Sequence, residues 1–353
     1  MCLIFHSVCV IIKFKEVNVR KSVLISLLLV SGVFSMGDAD KKLLAKAKQY
    51  FSPLPNSFPS ADNPITPQKV ELGRLLFFER RLSVNNMISC ATCHAIEYYY
   101  ATPASKDMGA LALQRRNSPT VFNTAGQFIQ NWIGNRKDVE DQALQALTAP
   151  ATLGNPSREH VEEKLRKIPQ YVELFRKAFP EDKEPITAEN IAKAIGAFER
   201  TLVTPSRFDE FLKGNTKALT PEEKRGLKTF IEVGCATCHN GALVGGTMYQ
   251  KFGIYEPYWN YTKSESIDEG RFAVTKNEED KYVFKVPPLR NVAMTAPYFH
   301  DGSVASLEEA VWIMGKVQLG KDLTKEQVRD IVAFLKSLTG KMPENVRTPP
   351  ILP

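Results

Sequence analysis

Two copies of Cys-Ala-Thr-Cys-His, at residues 90–94 and 235–239, constrain this chain more than any other feature. In a Cys-x-x-Cys-His segment the two thiols form thioethers to the vinyl groups of one haem, and the adjacent imidazole ligates its iron. The spacing matters because all three groups must reach one porphyrin from a single turn of backbone. One such motif also fits a zinc or redox centre. Two identical copies, 145 residues apart and each preceded by a helical pattern, point to two covalent haem c groups. The expected attachments are Cys90 and Cys93 for the first and Cys235 and Cys238 for the second, with His94 and His239 as proximal ligands.

The remaining cysteines agree with this reading. Of six, only Cys2 and Cys9 lie outside the motifs, and both fall in a segment that reads as an export signal. Arg20-Lys21 is a short basic region, Ser22 to Phe34 is built mostly from Val, Leu and Ile, and Val33 and Ser35 are small enough for a cleavage site. The apolar run is short for a membrane span. Residues 1–35 are therefore expected to be a cleaved signal or pre-sequence, with an uncleaved anchor as the rival, and the rest is expected in the periplasm. Of the formal net charge of +7, residues 1–35 contribute Lys13, Lys15, Arg20 and Lys21 against Glu16, which leaves +4 for the remainder. Two haems bring up to four propionates and there is no basic block, so charge gives no reason to expect a nucleic-acid partner.

Hydrophobic periodicity and turn residues give a mainly α chain with little sheet. Residues 36–66 form a leader segment, polar at first and Pro-rich from Pro53. A helical pattern follows Pro67, with Val70, Leu72, Leu75 and Leu76 apolar. Residues 157–204 read as helices, with Ser157 and Thr187 as caps and Ile191, Ile195, Phe198 and Leu202 on one face. A boundary is expected near 204–219. The second unit opens on the capping box Thr220-Pro221-Glu222-Glu223, and Thr324-Lys325-Glu326-Gln327 starts a last helix. Arg271–Thr275 and Tyr282–Val286 fit a short β-hairpin. Each half carries Gly and Phe (Gly73 and Phe77; Gly226 and Phe230) shortly before its haem motif, an internal repeat. The expected organisation is two cytochrome c-like haem domains, 67–204 and 205–340, with a Pro-rich tail over 341–353.

The sixth position of each iron decides between electron transfer, when filled, and peroxide binding, when open. Beyond the leader the chain has four histidines. His94 and His239 are proximal, His160 reads as a solvated surface residue, and His300 lies in a turn-rich segment. Met314, in Val311-Trp312-Ile313-Met314-Gly315, is a candidate thioether ligand, although a Met at such a place is more often core.

Several longer runs then carry a resemblance. Arg116-Asn117-Ser118-Pro119-Thr120-Val121-Phe122-Asn123, Gly270-Arg271-Phe272-Ala273-Val274-Thr275 and Pro288-Leu289-Arg290-Asn291-Val292-Ala293 do so, together with Thr295 to His300 and Ile331-Val332-Ala333-Phe334-Leu335. On these, the chain resembles the bacterial di-haem cytochrome c peroxidases over nearly all of residues 50–345. The resemblance implies a high-potential C-terminal haem ligated by His239 and Met314, which receives electrons from a small c-type cytochrome or cupredoxin. It implies a low-potential N-terminal haem on His94 where H2O2 is reduced, with Trp132 between the haems. It also implies one Ca2+ held by Asn117 and the backbone of Thr295 and Pro297, and a homodimer.

Two departures stand against that pattern. The family places a His between the first motif and the Arg-Asn-Ser-Pro run, whereas residues 95–116 contain none; Met108 lies within a residue of the expected place. The family also puts a Gln and a Glu on the distal side as acid–base groups. Gln142 stands where the Gln is expected, but Thr152 occupies the place of the Glu. A non-enzymatic electron-transfer or redox-sensing protein, or a related oxidase, is therefore carried as the alternative to a periplasmic peroxidase.

Overall fold

The computed structural model describes residues 37–353; the expected signal, with Cys2 and Cys9, lies outside the described residues. Contacts divide the chain into one unit, Met1–Leu43, and a second, Leu44–Pro353, which holds every element from Pro67 onward. The first helix, α1, runs over residues 37–47. Among the described residues no helix is long and apolar enough to cross a membrane.

Local sequence sets where the helices begin. Thr66 accepts the Lys69 N–H at 3.2 Å and Pro67 takes the first position of α2 (Pro67–Phe78). There the missing proline N–H costs no hydrogen bond. The motif helix α3 (Cys90–Cys93) is followed by α4 (Val139–Ala146), α5 (Arg158–Arg166), α6 (Pro169–Ala178) and α7 (Ala188–Glu199). The second half has α8 (Arg207–Leu212), α9 (Pro221–Val233), the single turns α10 (Trp259–Thr262) and α11 (Phe272–Thr275), α12 (Leu307–Leu319) and α13 (Lys325–Ser337). Both expected capping boxes form: Thr220 N–H donates to Glu223 at 2.8 Å and Thr324 N–H to Gln327 at 2.9 Å.

The repeat seen in the sequence is a repeat of helix crossings. α2 crosses α7, and α9 crosses α13. A Cβ on Gly73 would stand 1.8 Å from the Ala194 carbonyl oxygen, and one on Gly226 would stand 1.8 Å from that of Asp330. Only glycine permits this approach of two backbones. Four residues after each glycine comes a phenylalanine: Phe77 packs edge-on to Phe198 and Phe230 packs against Phe334. Phe77 lies 6.4 Å from the His94 ring, and Phe230 lies 6.4 Å from the His239 ring. Each crossing therefore sets the wall behind one motif histidine.

The segments between and around these crossings are packed rather than loose. In the leader, Leu54 N–H donates to Asp209, Phe58 N–H to the Arg200 carbonyl, and Asn63 to Glu140. The expected boundary region contains α8, whose Phe208, Phe211 and Leu212 are buried. The Pro-rich tail returns to the first half, where Tyr100 Oη donates to the Val346 carbonyl at 2.8 Å.

The expected hairpin needs correction. Residues 272–275 form the helical turn α11, and the strand that pairs with β2 (Val283–Lys285) is β1 (Tyr249–Lys251), antiparallel, with Tyr249 opposite Lys285. A four-residue apolar stretch fits one helical turn as well as it fits a strand. Tertiary contacts decide between them here: the Arg271 guanidinium stacks over the Tyr249 ring at 4.2 Å and donates to its hydroxyl, which draws β1 to this edge.

Replacing Gly73 or Gly226 with Ala forces the crossing helices apart. Each variant is expected to lose roughly 1–3 kcal/mol, the usual cost of overpacking, read as a lower denaturant midpoint. An unchanged midpoint for both would show that the crossings tolerate a Cβ.

Candidate functional site

The first motif turns on a short helix. Ser89 N–H donates to Thr92 Oγ1 at 2.9 Å, which closes the start of α3, and the next residue after Cys93 is the ligand histidine. His94 Nδ1 lies 3.2 Å from the Tyr100 carbonyl. A carbonyl can only accept, so Nδ1 carries the proton and Nε2 is left with its lone pair, the form a metal needs. Burial lowers the pKa of His94, and that of His239 to about 4, so both rings are neutral near pH 7. The carbonyls of Val244 and Pro287 face His239 and oppose that shift, yet its buried Nδ1 makes no hydrogen bond of good geometry.

The four motif cysteines are free thiols. Burial pushes Cys90, Cys93 and Cys235 up to about 12. Such thiols stay protonated near neutrality unless a bond or a metal takes the sulfur. No cluster of three or more His, Cys, Asp or Glu that could hold a metal ion occurs among the described residues.

A cavity of about 590 Å³ draws these groups together. Its wall includes His94 from the first half, Cys235, Cys238, His239 and Met314 from the second, and Trp132, Asn117, Thr295 and Pro297. The neutral imidazoles, the unpaired thiols and the shared, largely apolar space fit a haem on each motif. Met314 is not part of the buried core; it is half-buried and faces the cavity from α12, among buried neighbours Ile313 and Gly315. Trp132 Nε1 donates to the Asn117 carbonyl at 2.9 Å, and its own carbonyl accepts from Lys285 N–H at 2.8 Å. Trp132 therefore joins the two halves at the cavity wall through its backbone carbonyl, while its ring is anchored within the first half.

The calcium candidates also converge. Asn117 N–H donates to the His300 carbonyl at 2.8 Å, and its side-chain amide donates to the Ala104 carbonyl at 2.8 Å. No donor to the Asn117 amide oxygen occurs among the described residues, and Asn117, Thr295 and Pro297 share the cavity wall. Gln142, on α4, and Thr152 both face the cavity. The Thr152 hydroxyl, however, donates to the Ala146 carbonyl at 2.6 Å, where it closes the end of α4.

Met108 is placed elsewhere. It is 62% exposed, does not face the cavity, and pairs with Leu113 in an isolated bridge. Among the described residues on the wall, His94, His239, His300 and Met314 are the only His and Met side chains. His300 is 2% exposed and enclosed by Phe252, Tyr258, Phe284 and Trp132. His160 is half-buried at the start of α5, away from the cavity.

Two wall residues had no counterpart in the sequence reading. Glu199, 4% exposed, is the single carboxyl on the wall among the described residues, and burial, aided by Glu140, raises its pKa to about 8. Lys285, 5% exposed, is a buried ammonium on β2. A signal was present for Lys285, a lone charge inside the apolar run Val283 to Val286; Glu199 closes the apolar run Ala194 to Phe198 beside Arg200 and carries no such mark.

Comparison with known proteins agrees with this site. Residues 67–217 match the di-haem cytochrome c peroxidase family. The chain is 45% identical to the cytochrome c551 peroxidase of Pseudomonas aeruginosa over 90% of its own length and 91% of that protein. It is 42% identical to the cytochrome c551 peroxidase of Nitrosomonas europaea, over 81% of its length and 86% of that protein. Among solved structures, a MauG-like protein associated with microbial copper homeostasis superposes with a TM-score of 0.75 at 29% identity, covering 84% of this chain and 95% of that one. The chain belongs to the di-haem cytochrome c peroxidase family; it is a c-type di-haem oxidoreductase of the peroxidase class.

Glu199 gives a pH test of the cavity's electrostatics. Its folded pKa lies above the ordinary 4.5, so between that value and about 8 the fold keeps a proton that the unfolded chain releases. Stability must then fall as pH rises through this window. Glu199→Gln removes the titration, so its denaturant midpoint is expected to gain on wild type from about pH 5 to about pH 8. A constant offset across that range would contradict the assignment.

Proposed function

We propose that this protein reduces H2O2 to water with electrons from a small c-type cytochrome or cupredoxin. The observation that carries the reading is the shared cavity, in which His94, His239, Met314 and Trp132 meet. The two halves act as cytochrome c-like haem domains, 67–204 and 205–340. When bound, the haems supply the redox chemistry and the iron to which peroxide coordinates. Everything else falls to the chain's own groups.

In the second half, His239 and Met314 both face the cavity and would hold the haem iron, and a thioether ligand favours the ferrous state and a high potential. In the first half, His94 is oriented by the Tyr100 carbonyl and would hold the iron there, and among the described residues no second His or Met of that half faces the cavity to compete with peroxide. Trp132, bonded to both halves, lies on the route between them. Asn117, Thr295 and Pro297 offer hard oxygen ligands from both halves, a donor set that suits Ca2+. Export to the periplasm and a homodimer complete the proposal; the signal pattern over residues 1–35 and the family resemblance support them.

Proton supply is where this chain differs. Gln142 donates or accepts a hydrogen bond but does not exchange a proton at neutral pH, and the Thr152 hydroxyl is committed to backbone carbonyls. Glu199 is the one wall carboxyl, and it holds a proton up to about pH 8. Steady-state turnover of H2O2 with a reduced small cytochrome tests the function, and oxidation of the cytochrome at two equivalents per peroxide is the expected result. Thr152→Glu restores a carboxyl at the cavity wall and is expected to raise turnover, within the roughly 10²–10⁴-fold range of a placed acid–base group. A fully haemylated wild type without turnover, together with no gain in the variant, would move the reading to electron transfer alone.

A further inference from the structure

Of the cations on the cavity wall, one is buried without an opposite charge. Arg290 is paired with Asp209 through two hydrogen bonds of 2.7 and 2.9 Å, and Arg116 is paired with Asp268 at 2.7 Å. Lys285 has no carboxylate partner among the described residues. Its ammonium donates to Gln127 Oε1 and to the Ile129 carbonyl. Gln127 in turn donates to Thr124 Oγ1 at 2.9 Å, and that hydroxyl donates to Gln130 Oε1 at 2.9 Å. The chain of neutral groups fixes the ammonium in place and supplies no negative charge. Burying a cation in this way is costly unless something compensates it, and burial alone lowers Lys285 to about 7.

The location says what compensates it. Lys285 N–H bonds to the Trp132 carbonyl, and two residues on, the Pro287 carbonyl faces His239. Lys285 therefore lies on the cavity wall where the two halves meet, bonded through its backbone to Trp132 and through its ammonium to Gln127, another wall residue. Each haem brings two carboxylates into this space. We propose that Lys285 is the counter-ion of a haem propionate at the junction of the two halves, held for that purpose by the Gln127–Thr124–Gln130 chain. This rests on the di-haem reading of the cavity. Without a cofactor carboxylate the site would be an uncompensated charge.

Spectroelectrochemical titration of the two haems tests the proposal in the intact holoprotein. Lys285→Met removes the positive charge, so the ferric state of the neighbouring haem is favoured. One of the two reduction equilibria is expected to shift by about tenfold towards the oxidised form, a fall of about 59 mV for one electron. Lys285→Arg keeps the charge and is expected to stay within about twofold of wild type on the same scale. Lys285→Gln keeps a donor, loses the charge, and carries the test if the methionine variant does not accumulate; it is expected to shift as the methionine variant does. A neutral variant with both haems bound and both potentials unchanged, whatever its thermal stability, would show Lys285 to be a structural strut and overturn the proposal. A wild type without two haems would instead sink the cavity reading itself, so the two failures are distinguishable.

Discussion

The close crossing of two helices over a glycine, made twice, is the constraint on which the rest of this structure depends. Gly73 against the Ala194 carbonyl and Gly226 against the Asp330 carbonyl bring α2 onto α7 and α9 onto α13 with no room for a side chain between them. That closeness seats Phe77 and Phe230 behind His94 and His239 at equal ring distances. A proximal ligand has to hold its ring in one orientation while its iron changes charge, and a packed aromatic wall limits ring rotation. In the first half the Tyr100 carbonyl adds the second restraint. Much of the remaining chain ties the two crossings into one body. Asp209 is held below the usual carboxylate range, because the Arg290 guanidinium and the N–H groups of Leu54 and Ser206 outweigh the effect of burial. In doing so it joins α8, the leader and the second half.

With the same scaffold used twice, the differences between the copies define the chemistry. Superposing the crossings places Ala194 with Asp330 and Phe198 with Phe334, so the next residues, Glu199 and Leu335, are equivalent. Both face the cavity. One half thus presents a buried, protonated carboxyl where the other presents a leucine. The second contrast lies in the methionines: Met314 of the second half faces the cavity, whereas Met108 of the first half is exposed.

How much of this was legible in the sequence depends on the range of the interaction. The caps at Ser157, Thr187, Thr220 and Thr324 and the Gly–Phe repeat are set within a few residues, and all of them form. The hairpin was misplaced because the strand partner of Val283–Lys285 is chosen by Arg271 reaching Tyr249, 22 residues away. Thr152 could be recognised as a substitution, but not as a helix-closing hydroxyl, because its acceptors are defined only once α4 has ended. Glu199 and Lys285 passed unremarked in the sequence, because what makes them matter is a cavity built from both halves. A single sequence does not show which buried charges share a wall.

The account stands or falls on two covalent haems in one chain. Thioether bonds survive unfolding, whereas axial ligation alone does not. The most direct measurement is therefore iron and haem content per chain after denaturation and acid–acetone extraction. The account predicts two irons per chain and all of the haem retained on the polypeptide. One haem per chain, or haem released into the acetone, would contradict it.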